Sequence, residues 1–131
     1  MMSMSMIDDL NKFSLSERAH AKLQILQQEG HFFEMRDAYR FAIALALSRG
    51  VHPPEILPPR SAGIYSISQI DPDQSIALSI NLLMDTDGLP PYRWAERLAE
   101  WGIEELARES TNGSIDIFKL LDEANENAEK L

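Results

Sequence analysis

The residues of this chain best equipped for chemistry are carboxylates. Glu100, Glu104, Glu105 and Glu109 fall at or near a four-residue repeat, which on a helix brings acids to one side. Such a pair would suit general acid and base work, but the same spacing marks an ordinary solvated helix face, and that is the expectation. Asp85-Thr86-Asp87-Gly88 has the opening of a calcium loop. With Asp85 in first position the sixth is Pro90, where the loop needs glycine; with Gly88 sixth, the first and twelfth are Leu83 and Trp94. A polar turn ahead of a proline-started helix is expected instead. His31 and Glu34 would sit one turn apart, yet zinc peptidase geometry wants two histidines on one helix face, and His20 and His52 are far along the chain. No glycine-flanked serine elbow with a His-Asp partner can be placed. The expectation is therefore a protein that is not an enzyme, with no catalytic residues, no metal site and no cofactor.

Binding chemistry has more to work with. Arg36, Asp37 and Arg40 stand at the start of a strongly apolar segment, where a helix N-terminus favours an anion. A phosphate contact and an Asp37–Arg40 surface pair compete there, and the pair is favoured. Trp94 and Trp101, seven residues apart, would stack on a ligand or pack into a core; core packing fits the spacing better.

These residues must be positioned by helices. Ser14 precedes Glu17 by three, a reciprocal capping pattern, with Ser16 as a rival cap. Leu15, Ala19, Leu23 and Leu26 then form one stripe, and Gly30 ends it. From Met35 to Arg49 apolar residues point nearly every way, which predicts a helix buried all round and ended by Gly50. Pro53-Pro54 and Pro58-Pro59 exclude regular structure between Val51 and Gly63, so an extended connector is expected, with a short strand in Ile64–Ile70. Asp71, Pro72 and Gln74 start a helix striped by Ile76, Ile80 and Leu83. Asp85 to Pro91 turns, and Pro91 opens a helix to about Arg108 that buries Trp94, Leu98, Trp101 and Leu106, with Gly102 admitting a close neighbour. A last helix carries Ile117, Leu120, Leu121 and Ala124. The reading is a mostly α single domain over 1–131. It comprises a strand/helix/helix unit over 1–50, a proline-rich connector with a short strand over 51–70, and an acidic helical half over 71–131, about five helices in all.

With 131 residues, the chain is long enough for one domain with a real core. It holds no cysteine, which removes disulfides and thiolate sites and fits a reducing, cytoplasmic setting; the longest apolar run, Phe41 to Leu47, is far too short to span a bilayer. Residues 1–50 carry six basic and six acidic side chains, and the remainder six against fifteen, so the second half holds the whole net charge of −9. Strong autonomous DNA binding is disfavoured, since phosphate neutralisation needs a basic face.

Lys12-Phe13-Ser14-Leu15-Ser16, the capped helix to Gly30 and the helix Met35 to Ser48 resemble the ribbon-helix-helix family of dimeric DNA-binding proteins and antitoxins. The resemblance implies Phe13 and Leu15 in the core, with Lys12, Ser14 and Ser16 facing outward from a ribbon that enters the major groove. A second resemblance covers more of the chain. His31 to Ala42, the Ser48-Arg49-Gly50 end and Ala99 to Leu106 are similar to small accessory proteins of bacterial DNA phosphorothioation (Dnd) systems. It implies a non-catalytic accessory or adaptor of a DNA-modification or defence assembly, with a protein partner. The alternatives are a ribbon-helix-helix regulator or antitoxin and, last, a small-ligand enzyme using the tryptophan face. A homo-oligomer, most simply a dimer, is expected, because an all-round apolar helix and an isolated strand both need partners. Any DNA binding is expected to be weak and to come from Lys12, Ser14, Arg36 and Arg40.

Overall fold

A computed structural model describes residues 12–111 of the chain. In order they form β1 (Lys12–Phe13), α1 (Glu17–Gln28), α2 (Met35–Ser48), β2 (Tyr65–Ser66), α3 (Ile67–Ile70), α4 (Ser75–Leu83) and α5 (Pro91–Thr111). The protein is mostly α, as expected, and the segment Met1–Met6 and the expected last helix, Ile117 to Ala124, lie outside the described residues. β1 pairs antiparallel with β2, Lys12 opposite Ser66 and Phe13 opposite Tyr65.

Both early helices stop where glycine was expected to stop them. At Gly30 (φ +80°) His31 N–H donates back to Leu26 and Gly30 N–H to Gln27. At Gly50 (φ +66°) the same double bond recurs, Val51 to Ala46 and Gly50 to Leu47, the Schellman closure that needs a left-handed residue. The start of α1 corrects the first expectation, because the cap is Ser16, whose hydroxyl accepts from Ala19 N–H at 3.0 Å. Ser14 is not free to cap: its N–H and hydroxyl donate to Glu96, and its Oγ accepts from the Arg60 guanidinium. The expected strand over Ile64–Ile70 shrinks to two residues. Ser66 and Gln69 form a capping box, and this local exchange of bonds starts α3 in a stretch rich in β-branched residues.

α2 packs against α5 and α1, and buries Ala38, Tyr39, Ala42, Ile43, Leu45 and Ala46. It is not buried all round: Ala44 is exposed and Phe41 and Leu47 are half-buried. Ala44 is its only exposed apolar residue, and a methyl group at the surface costs too little to force a further layer. α5 is the other half of the central pair, with Trp94, Leu98, Ile103 and Leu106 buried and Trp101 half-buried. The two helices cross where Gly102 meets Ala42: a Cβ at Gly102 would lie 2.2 Å from the Ala42 carbonyl oxygen. Beside this crossing an aromatic chain runs from Tyr92 to Phe13 to Tyr39 to Tyr65, with ring centroids 5.4, 5.9 and 5.5 Å apart. α4 is held by its connection rather than by its own cap. The buried Asp71 carboxylate accepts from Ile76 and Ala77 N–H and from the Tyr92 hydroxyl, while Leu83, expected in the stripe, is exposed.

Two outcomes follow from this packing. Gly102→Ala should destabilise by on the order of 3 kcal/mol, because backbone rather than a flexible side chain must move, and a thermal melt reads it directly. Burial pushes Tyr65 and Tyr92 up to about 12 from the usual 10, with Asp71 adding to the effect at Tyr92. Native and unfolded chains hold these protons alike below pH 10, whereas between pH 10 and 12 only the unfolded chain releases them. Denaturant stability should therefore be unaffected by these groups below pH 10 and fall through that window. Tyr65→Phe should flatten part of the fall at no cost in stability, since the buried Tyr65 hydroxyl has no hydrogen-bond partner among the described residues.

Candidate protein-binding groove

One face of α5 carries Glu96, Glu100 and Glu104 at successive intervals of four residues, spaced about 6 Å along the axis. The segment from Phe13 to Ser16 runs extended beside it, where alternate residues are about 6.6 Å apart. The two repeats match, so each carboxylate meets its own residue. Glu96 Oε2 accepts from Ser14 N–H at 2.7 Å and from its hydroxyl at 3.0 Å. Glu100 accepts from Ser16 N–H at 2.9 Å and, through its other oxygen, from the Ser16 hydroxyl at 2.7 Å. Glu104 comes one step later, where the chain has become helical, and pairs with Arg18 and Lys22 on adjacent turns of α1.

Glu96 is the deepest of these acids, 2% exposed, and it also receives guanidinium N–H groups from Arg60 and Arg93. Nothing in its own neighbourhood of sequence marks it, and the ladder's partners lie more than eighty residues upstream. The expectation of a solvated face for Glu100, Glu104 and Glu105 is corrected accordingly. Glu105 pairs with Arg49 and Arg108, so all three are engaged with cations or serines. The connector completes the enclosure from the other edge of the segment. Pro59 carbonyl accepts from Glu17 N–H, Ser61 N–H donates to the Leu15 carbonyl, and Ile64 N–H to that of Phe13.

The residues expected to touch nucleic acid are dispersed. Phe13 and Leu15 are buried, as the alternation requires. Ser14, on the opposite side of the strand, is held against α5 instead of facing outward. Lys12, Arg36 and Arg40 are exposed. The ion pair at the start of α2 joins Arg36 to Glu34 at 2.7 Å, in place of the expected Asp37–Arg40 pair. Arg40 stands near Asp73, whose carboxyl is held below its usual value chiefly by Ser75 and to a smaller degree by Arg40. His31 bonds Glu29 and Ser110, and among the described residues no three His, Asp or Glu side chains gather to hold a metal.

Where the ladder ends, the surface opens into a groove of about 640 Å³ between the connector, the start of α1 and α5. Trp101 lies along it, with the Arg49 guanidinium 5.9 Å from its ring, and prolines 53, 54, 58 and 59 line the opposite wall. Ile56 anchors that wall in the core while its neighbour Leu57 stands 78% exposed. The two tryptophans thus divide. Trp94 is buried under His52 and Arg97, its indole N–H bonded to the Thr86 carbonyl, and Trp101 is left at a concave surface.

Removing the deepest rung tests the clasp. Glu96→Ala removes the acceptor of Ser14 N–H and the buried carboxylate that faces Arg60 and Arg93, and should cost about 4 kcal/mol in denaturant unfolding. Comparison with known protein families, with curated proteins and with solved structures finds no match to this chain.

Proposed function

We propose that this protein is a non-catalytic adaptor, an accessory component of a bacterial DNA-modification or defence assembly, working through protein contacts made at the groove beside Trp101. The observation that supports this reading is the apolar concavity itself. A tryptophan, a row of proline rings and a leucine 78% exposed share one depression, and an exposed apolar cluster in a concave setting is the usual mark of a surface that another molecule covers. Self-association to a dimer belongs to the same reading. α4 has no charged residue and leaves Leu78 and Leu82 61% and 74% exposed one turn apart.

The regulator reading is weaker on one specific point. The strand that a dimeric regulator would donate to a ribbon is already paired within the chain by β2, and Ser14 is occupied by Glu96. DNA contact, where it occurs, rests on Lys12, Arg36 and Arg40, with Glu34, Asp37 and Asp73 set among them and a net charge of −9 behind them.

Co-expression with the products of adjacent genes, followed by purification on a tag and mass measurement, tests the adaptor. The parent should retain one such protein, and a Leu57→Glu/Trp101→Ala variant with an unchanged circular dichroism spectrum should lose it. Duplex DNA titration provides the contrasting arm. Weak binding by the parent that fades between low and physiological salt, and disappears in the Lys12/Arg36/Arg40 triple alanine variant, agrees with the adaptor. Nanomolar, salt-resistant binding would give the regulator reading instead.

A further inference from the structure

The groove is unequal in what it offers a partner. Glu17 and Glu55, one on each wall, are exposed, and their carboxylates enter no hydrogen bond or ion pair among the described residues. Its two arginines are already engaged, Arg18 with Glu104 and Arg97 over the Trp94 ring at 4.9 Å. The Trp94 ring does not neutralise Arg97, but the lining still sets five carboxylates, Glu17, Glu55, Glu100, Glu104 and Glu105, against two guanidinium groups, so the groove is negative on balance.

The connector adds to the same imbalance. Between residues 53 and 59 four prolines remove the backbone donor, which leaves N–H groups only at Glu55, Ile56 and Leu57. Of the carbonyls in that stretch, the Pro59 oxygen takes a donor, from Glu17 N–H, and those of residues 53–58 take none among the described residues. The wall therefore offers six unengaged carbonyls against three N–H groups, and a partner meets it mainly with donors. The Trp101 indole N–H, which bonds nothing among the described residues, is left for a single partner carbonyl.

We infer that the groove binds an extended, positively charged segment of a partner protein, whose Lys or Arg side chains reach Glu17, Glu55 and the connector carbonyls while a proline or aliphatic side chain lies between Leu57 and Trp101. The inference rests on the adaptor reading and specifies the chemistry of its partner. Aromatic and proline surfaces suit an extended chain, which loses little conformational freedom on docking when it is itself rich in proline. Acceptor-rich walls select cationic donors over acidic or merely apolar segments.

The probe is a fluorescein-labelled ten-residue peptide of leucine, proline and arginine, titrated against the full chain by anisotropy, beside a matched peptide with glutamate for arginine. The parent should bind the arginine peptide, more weakly as salt rises, and ignore the glutamate peptide. Glu17→Gln/Glu55→Gln should weaken binding roughly fivefold, the size of two exposed ion pairs. Glu17→Lys/Glu55→Lys should reverse the preference, which a merely structural role for these exposed acids would not do. Leu57→Ser should weaken the arginine peptide without changing its salt dependence.

Equal affinity for both peptides, or arginine-peptide binding indifferent to the glutamine substitutions, overturns the inference. So does failure of the arginine peptide to displace a protein partner retained through Leu57 and Trp101, and in that case the adaptor reading stands. If no neighbouring gene product is retained and neither peptide binds, both fall together.

Discussion

The clasp between α5 and the strand–helix junction near Ser16 holds the molecule together across its longest sequence separation. It works because two different backbone repeats have nearly the same length: four residues of helix and two of extended chain both advance about 6 Å. Carboxylates at Glu96 and Glu100 can therefore each receive a backbone N–H and a hydroxyl from Ser14 and Ser16 without distorting either element. A two-residue β1 has little pairing of its own, and the clasp supplies acceptors that a longer sheet would have provided. Burying Glu96 is tolerated because Arg60 and Arg93 neutralise it from two sides while the serine donors fill its remaining acceptor sites.

Once that segment is fixed, the rest has few choices. Phe13 and Leu15 are turned inward by the same alternation that offers Ser14 and Ser16 to α5, and Phe13 becomes the middle of the aromatic chain from Tyr92 to Tyr65. The connector is drawn along the free edge of the segment through Pro59, Ser61 and Ile64. Its proline-rich stretch consequently stands off α5 at Trp101, and this separation creates the groove. The groove is a consequence of the clasp: the segment that closes the core at Ser16 also determines how far the opposite wall can approach.

Electrostatics divide the surface in two. Around the ladder most acids have partners, so the large negative charge of the second half is partly offset by cations delivered from the first, Arg18, Lys22 and Arg49. Glu17 and Glu55 escape this pairing, and their position beside an apolar floor turns leftover charge into selectivity. α4 shows the opposite case, with no charge on the helix and leucines in water. The two surfaces would recognise different partners, one by donors and one by apolar area.

Local signals in the chain were enough for the elements and several of their ends. Gly30 and Gly50 closed their helices, the prolines excluded regular structure from the connector, and Gly102 admitted the Ala42 backbone, because each effect depends on one residue's own stereochemistry. Periodicity identified the buried stripe of α1 and, apart from the half-buried Trp101, that of α5. It overstated the burial of α2, since alanine counts as apolar in a pattern while demanding little of its surroundings. The ladder was illegible: Glu100 and Glu104 look the same whether they face water or Ser16, and Glu96 carries no mark at all. Which acid is buried is decided largely by distant donors, Ser14 more than eighty residues away and Arg60 on the connector, and that proximity exists only after α5 and the N-terminal segment have met. The groove belongs to the same class, because a concavity between a connector and a helix is a property of their separation, which tertiary packing alone determined.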